Sequence, residues 1–263
     1  MQRLSNIDLN KEELDILLKE NTFDFGGEGI ILNPGDNKLY KIFNDCLGEN
    51  EINEMSQNKF NKLKLLYKLD LDYMVKILST ITLNGILIGY ALSYDLDDMP
   101  LCSSELSSKE IISVLKKAKS ILTYFHGNSI VYGDIHSANI LVNKKTGLVK
   151  FCDIDNIMIE DYFFDLLGDS LKKYINKRRI IDSTVDAYTH NITTIKTLLF
   201  TNKKRINRNT IISMLYDECE ADCIAYLLNQ KSRDHYRYGP IRKITKDMLK
   251  PAKYDGKYII NEL

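Results

Sequence analysis

Nothing in the 263-residue sequence approaches the roughly 18 consecutive apolar residues that a membrane-spanning helix needs. A bilayer-spanning protein is therefore not expected. The five cysteines include no CxxC pair, which argues against a disulfide framework and for a reducing compartment. The expected address is the cytoplasm, either of the producing cell or of a host. No zinc-finger, OB-fold or other nucleic-acid signature is present, and neither an internal repeat nor a low-complexity linker marks a domain boundary. The opening "MQRLSNIDLNKEELDILLKE" has none of the layout of a signal peptide. Asn10 stands as N-cap with Glu13 three positions on, so a capped helix is expected over 11–20.

What is there is ordinary in bulk and uneven in detail. A composition of 44% hydrophobic and 27% charged residues suits a soluble globular chain, long enough for one large domain or two lobes. Net charge is zero, yet residues 1–171 hold 17 Lys and Arg against 26 Asp and Glu, while residues 172–263 hold 19 against 10. The basic positions cluster in "KKYINKRR", "NKKRINR" and "RDHYRYGPIRK". Such a face can dock an acidic partner or simply balance the acidic half as a solvated surface.

From Phe23 to Phe43, "FDFGGEGIILNPGDNKLYKIF" reads as a strand, a glycine-rich turn, a strand, a hairpin turn and a third strand. Gly26, Gly27 and Gly29 allow a backbone to come close to a ligand and aim N–H groups at an anion. The third strand carries Lys41, which can reach the same anion. A charged amphipathic helix is expected over 49–69, followed by two or three strands with an Asn84-Gly85 turn. "SYDLDDMP" breaks the pattern, and "SSKEIISVLKKAKSILTYFHGNS" is a strong helix. Then comes "VYGDIHSANILV", where Asp134, His136 and Asn139 sit on a loop between two short apolar strands. "LVKFCDIDNIM" is another short strand with Asp153 and Asp155 at its end, and "DAYTHNITTIKTLLF" a long apolar helix. Antiparallel strands first and helices after give an α+β pattern in two layers.

The order and spacing of these motifs resemble the protein-kinase-like fold. "FGGEGIIL" is similar to a glycine-rich loop, "LYKIF" to the strand with the ATP lysine, "YGDIHSANILV" to a catalytic loop and "VKFCDID" to the strand that ends in the metal-binding aspartate. The closest flavour is an atypical bacterial Ser/Thr kinase with a GGEG loop and a GDxHxxN catalytic loop. This implies a bilobal α+β fold: an N-lobe over 1–94 with a small antiparallel sheet and one helix, a hinge at 95–100, and a helical C-lobe over 101–263. It implies ATP and Mg²⁺ as cofactors, with Gly26, Gly27, Gly29, Lys41, Ser93 and Tyr94 as cofactor-binding residues. Asp134 is the implied base for the attacking hydroxyl, and His136 an additional contact to phosphate or within the loop. Asn139 and Asp153 are the implied Mg²⁺ ligands. Glu54, or less favoured Glu51, is the implied partner of Lys41. A protein substrate is the implied acceptor.

Departures from the family pattern carry expectations of their own. Tyr132 and Gly133 stand where protein kinases usually place His and Arg, so activity should not depend on a phosphorylated loop between Asp161 and Val185. Asp155 falls where a glycine is usual. His126 is expected to support the loop, and Asp186 to cap its helix and bond the catalytic-loop backbone. No APE-like motif lies between Asp153 and Asp186. Two other readings stay open: a small-molecule kinase like the aminoglycoside and choline enzymes, and a nucleotide-binding pseudokinase.

Overall fold

In a computed structural model, residues 4–25, 28–47, 55–103, 105–162 and 181–201 are described. By internal packing the chain divides into two units: residues 1–99 with 143–155, and residues 100–142 with 156–263. The segment 143–155 thus packs with the first unit, although it follows the loop over 132–139 in sequence.

The first unit is built on a six-stranded sheet. In chain order its strands are β1 (Ser5–Leu9), β2 (Thr22–Phe25), β3 (Gly29–Gly35), β4 (Lys38–Phe43), β5 (Ile77–Leu83) and β6 (Ile86–Ser93). They lie in the order β1-β5-β6-β4-β3-β2. The sheet is mixed rather than antiparallel as expected, because β1 runs parallel to β5 with Ser5 opposite Ser79 and Leu9 opposite Leu83. Polar side chains fix that edge: Asn6 Nδ2 donates to Thr82 Oγ1 at 3.0 Å, and Asp8 Oδ1 accepts from Gly85 N at 2.9 Å.

The turns follow their sequence signals. Asp36 and Asn37 hold φ of 57° and 56° between β3 and β4, and Asn84 and Gly85 hold 49° and 82° between β5 and β6. Two successive positive φ values give the primed turn whose twist matches paired strands, and Asn, Asp and Gly adopt them at least cost. Helix α1 (Lys11–Glu20) carries the expected capping box, with Glu13 N donating to Asn10 Oδ1 at 2.9 Å and Asn10 N to Glu13 Oε2 at 2.8 Å.

Helix α2 (Gln57–Leu69) starts later than the expected 49, because Ser56 is its N-cap, accepting from Lys59 N at 3.3 Å. It turns Lys62, Leu63 and Leu66 inward and ends at Asp70 in the left-handed region. The core of this unit is made by Leu32, Ile42, Phe43, Leu63, Ile81, Ile88 and Tyr90, each at most 1% exposed. Short strands β7 (Asp98–Pro100), β8 (Ile130–Val131), β9 (Ile140–Asn143), β10 (Val149–Phe151) and β11 (Met158–Ile159) complete the chain order. β10 is tied to the first unit by Phe151 N donating to Tyr73 O at 2.8 Å and Val75 N to Phe151 O at 3.0 Å.

The second unit holds helices α3 (Ser108–Gly127) and α4 (Thr184–Thr201). A Ser107–Glu110 capping box starts α3, and Ile111, Val114, Leu115, Ala118, Ile121, Leu122 and Phe125 form its buried face at helical spacing. α4 is less apolar inside than its sequence suggests: Asp186, Thr189, His190, Asn191, Thr193, Thr194 and Thr197 are all buried. Strands β8 and β11 pair antiparallel and frame one side of the loop over 132–139. Among the described residues no helix is long and apolar enough to cross a membrane. The basic clusters of the 172–263 segment lie outside the described residues.

Candidate functional site

In the first unit the site starts from β4, whose pairing with β3 on one side and β6 on the other places Lys41 opposite Ile31 and Tyr90. Lys41 is only 5% exposed, so its ammonium must find partners inside the protein. It bonds to Asp153 and, at 2.8 Å, to Asp155 Oδ1, with Glu28 Oε2 at 3.6 Å. Both aspartates follow β10, Asp155 within a 3₁₀ turn over Ile154–Asn156.

Asp155 is 1% exposed and is secured from three elements. Besides Lys41, Tyr90 Oη on β6 donates to Oδ1 at 2.6 Å, and Lys62 Nζ on α2 donates to the backbone carbonyl at 2.8 Å. Burial alone would raise this carboxyl. The Lys41 charge and the bonds from Lys41 and Tyr90 outweigh it and hold Asp155 below the usual carboxylate range. Burial likewise works against the Lys41 ammonium, but Asp155 and Asp153 raise it, so Lys41 is a permanent cation. Glu28 goes the other way: burial first, then the Asp155 carboxylate, push it up to about 7 against the pull of Lys41. Asp153 holds φ of +57°, a left-handed backbone that costs a non-glycine residue about 1 kcal/mol.

In the second unit the loop over 132–139 is fixed from below by α4. Buried Asp186 accepts from Tyr132 N at 2.8 Å and Gly133 N at 2.6 Å, and its Oδ2 lies 2.9 Å from His126 Nε2 at the end of α3. Gly133 holds φ of +82°, which aims its N–H at that carboxylate and explains a glycine here. Thr193 Oγ1 donates to Ile135 O at 2.6 Å two turns further along α4. Asp186 therefore braces the loop and is itself not the cap. Asp182 takes that task, accepting from Thr184 N at 2.9 Å.

Held this way, Asp134 presents a carboxylate that is 41% exposed. Asn139 Nδ2 donates to Asp134 O at 3.1 Å and Oδ2 at 3.2 Å, so the amide fixes the carboxylate's orientation. His136 Nε2 lies 3.5 Å from the same oxygen, while its Nδ1 accepts from Ala138 N at 3.3 Å. An oriented, water-accessible carboxylate of this kind can take a proton from an approaching hydroxyl.

The structure thus brings Lys41 to Asp153 in one unit, and Asp134 to His136 and Asn139 in the other. Ser93 and Tyr94 serve the sheet: Ser93 N donates to Lys76 O at 2.8 Å, and Tyr94 N to Asn37 O at 2.9 Å. Gly29 stands where β3 presses on β4, and a Cβ there would lie 2.5 Å from Ile42 O. Gly26, Gly27, Glu51 and Glu54 lie outside the described residues. Sequence reasoning missed Glu28, Tyr90, Lys62 and the weight of Asp155. The available signals were the glutamate inside "GGEG" and the second acid of "CDID".

No family model matches the chain. A 58-residue stretch is 40% identical to serine/threonine-protein kinase dst4 of Dictyostelium discoideum, covering 22% of this chain and 12% of that protein. The match spans only a small share of that protein's length.

Proposed function

We propose that this protein is an ATP- and Mg²⁺-dependent phosphotransferase that passes the γ-phosphate to a hydroxyl, with serine or threonine of a protein as acceptor. The observation that supports the reading is the part-buried pairing of Lys41 with Asp153, which stands 112 positions away and to which the motif order independently gives a role. The partial likeness to a Ser/Thr kinase supports it.

Phosphoryl transfer asks a protein for positioning and charge neutralisation more than for covalent chemistry. Lys41, a permanent cation on a rigid strand, offers a charge for the phosphates of ATP. Asp134, oriented by Asn139, takes the proton of the attacking hydroxyl, and Asp186 with His126 keeps that loop in place. Asp153 supplies a hard carboxylate oxygen for Mg²⁺. Asn139, whose amide nitrogen is engaged with Asp134, has its carbonyl oxygen to offer the ion. Each is the kind of oxygen donor that a hard cation takes, and such an ion, when bound, would neutralise charge on the phosphates. Because Tyr132 and Gly133 fill the positions beside Asp134, no arginine there awaits a phosphorylated loop.

The acceptor class is tested by incubating the full chain with ATP labelled at the γ-position, Mg²⁺, generic protein acceptors and a panel of small alcohols. Label on protein serine or threonine is the expected result. Label on a small alcohol only would replace the protein-kinase reading with a small-molecule kinase. ATP binding without any transfer would make the protein a nucleotide-binding pseudokinase.

A further inference from the structure

The surroundings of Lys41 contain more negative charge than the lysine satisfies. Glu28, Asp153 and Asp155 face one ammonium, and the second buried ammonium, Lys62, donates to the Asp155 backbone carbonyl. Lys41 bonds Asp153 and Asp155 Oδ1, while Glu28 Oε2 at 3.6 Å lies beyond hydrogen-bond range. Two carboxylate oxygens are left buried with no hydrogen-bond donor among the described residues: Glu28 Oε2 and Asp155 Oδ2. Asp155 is the more telling, since the residue is 1% exposed and bulk solvent does not reach it.

A buried carboxylate oxygen of this kind needs a hydrogen-bond donor or a cation. Its spacing suits a metal ion: one carboxylate oxygen from each of Glu28, Asp153 and Asp155 lies within 4.8 Å of the others. That span is about twice a cation–oxygen bond of roughly 2.4 Å, so one ion can touch all three. All-carboxylate donors select a hard cation such as Mg²⁺, Mn²⁺ or Ca²⁺ over a thiophilic one. Lys41 takes the other oxygen of Asp155, and its ammonium stands 3.6 Å from Glu28 Oε2, outside hydrogen-bond range.

We propose that Glu28, Asp153 and Asp155 together hold one divalent cation, wholly within the first unit and without nucleotide. The glutamate of the glycine-rich turn becomes a metal ligand, and Asp155 acquires a task that its strand-end position in sequence does not suggest. The inference rests on the phosphotransfer reading only in sharing Asp153 with it.

The test is Mn²⁺ binding by the full chain, stripped with chelator and free of nucleotide, followed by loss of the free-ion paramagnetic resonance signal. About one Mn²⁺ per chain is expected, displaced by excess Mg²⁺ or Ca²⁺. Glu28→Gln should weaken binding by about 10-fold or more, as loss of a supporting group at a metal centre does. Asp155→Asn should do the same. If that variant fails to fold by circular dichroism, Glu28→Gln decides alone, since Glu28 sits on a turn and is not a core residue. No uptake by folded wild-type chain would overturn the site and leave a proton on Glu28 as the filler of the orphaned oxygens. Uptake that Glu28→Gln leaves unchanged would overturn it equally. Because no ATP is present, a chain that binds Mn²⁺ as described yet transfers no phosphate would uphold the site and refute the phosphotransferase.

Discussion

Tyr90→Phe removes one atom from the centre of the first unit and leaves its volume almost unchanged. The hydroxyl is fully buried and donates to Asp155 Oδ1 at 2.6 Å. A hydrogen bond to a charged group contributes about 1.5–3 kcal/mol, against roughly 1 kcal/mol for a neutral pair. Packing is conserved in the variant, so the expected loss is about 2 kcal/mol, nearly all of it from this bond. The same change in an Asp155→Asn background should cost only about 1 kcal/mol, since the acceptor there is neutral. Coupling between the two positions is therefore about 1 kcal/mol, well above the scatter of independent sites. The assay is urea unfolding followed by far-ultraviolet circular dichroism, accepting only variants whose denaturant dependence matches the wild type. A Tyr90→Phe cost below about 0.5 kcal/mol, or the same cost in both backgrounds, would refute the idea that Asp155 is ionised and held by Tyr90.

Other consequences follow from named contacts. Glu28 is protonated in the folded chain up to about pH 7 but only up to its ordinary value of 4.5 when unfolded. The folded state then binds the extra proton between those limits, so stability in chelator should fall as pH rises from about 4.5 to about 7 and level off above. Glu28→Gln should abolish that slope in thermal unfolding, and an unchanged slope would contradict the assignment. Asp186→Ala strands the buried Tyr132 and Gly133 N–H groups and should cost about 3 kcal/mol in denaturant, with a loss under 1 kcal/mol speaking against the brace. Gly89→Ala would place a Cβ 2.2 Å from Lys41 O, so the strands flanking the lysine must part. It should cost about 2 kcal/mol or more, and a variant as stable as the wild type would show that β4 and β6 are less close than described.

Local rules made much of the fold readable. Asn84-Gly85 and Asp36-Asn37 announce primed turns whatever surrounds them, and the Asn10–Glu13 and Ser107–Glu110 boxes announce helix starts. The loop with Asp134 and Asn139 was legible because its two polar residues stand between apolar strands. β1 was not: Ser5–Leu9 alternates weakly, and it is held by Thr82 and Gly85, more than seventy positions away. The start of α2 was misjudged because the amphipathic pattern runs on upstream of the Ser56 cap. The family resemblance implied a helix glutamate for Lys41, Glu54 or Glu51; both lie outside the described residues, and the described partners come from the glycine-rich turn and from a segment beyond residue 150. Asp155 looked like a misplaced neighbour of Asp153 until burial, Tyr90 and Lys62 gave it a setting. Such pairings depend on which strands the sheet makes adjacent, and no short window of sequence carries that.

Transfer of labelled γ-phosphate by Asp134→Asn tests the central claim most directly, because that variant keeps the shape of the loop and removes the base. With ATP binding confirmed in parallel, the account predicts turnover lowered by about 10²-fold or more, at unchanged affinity for ATP. A variant that transfers phosphate as fast as the wild type would contradict it.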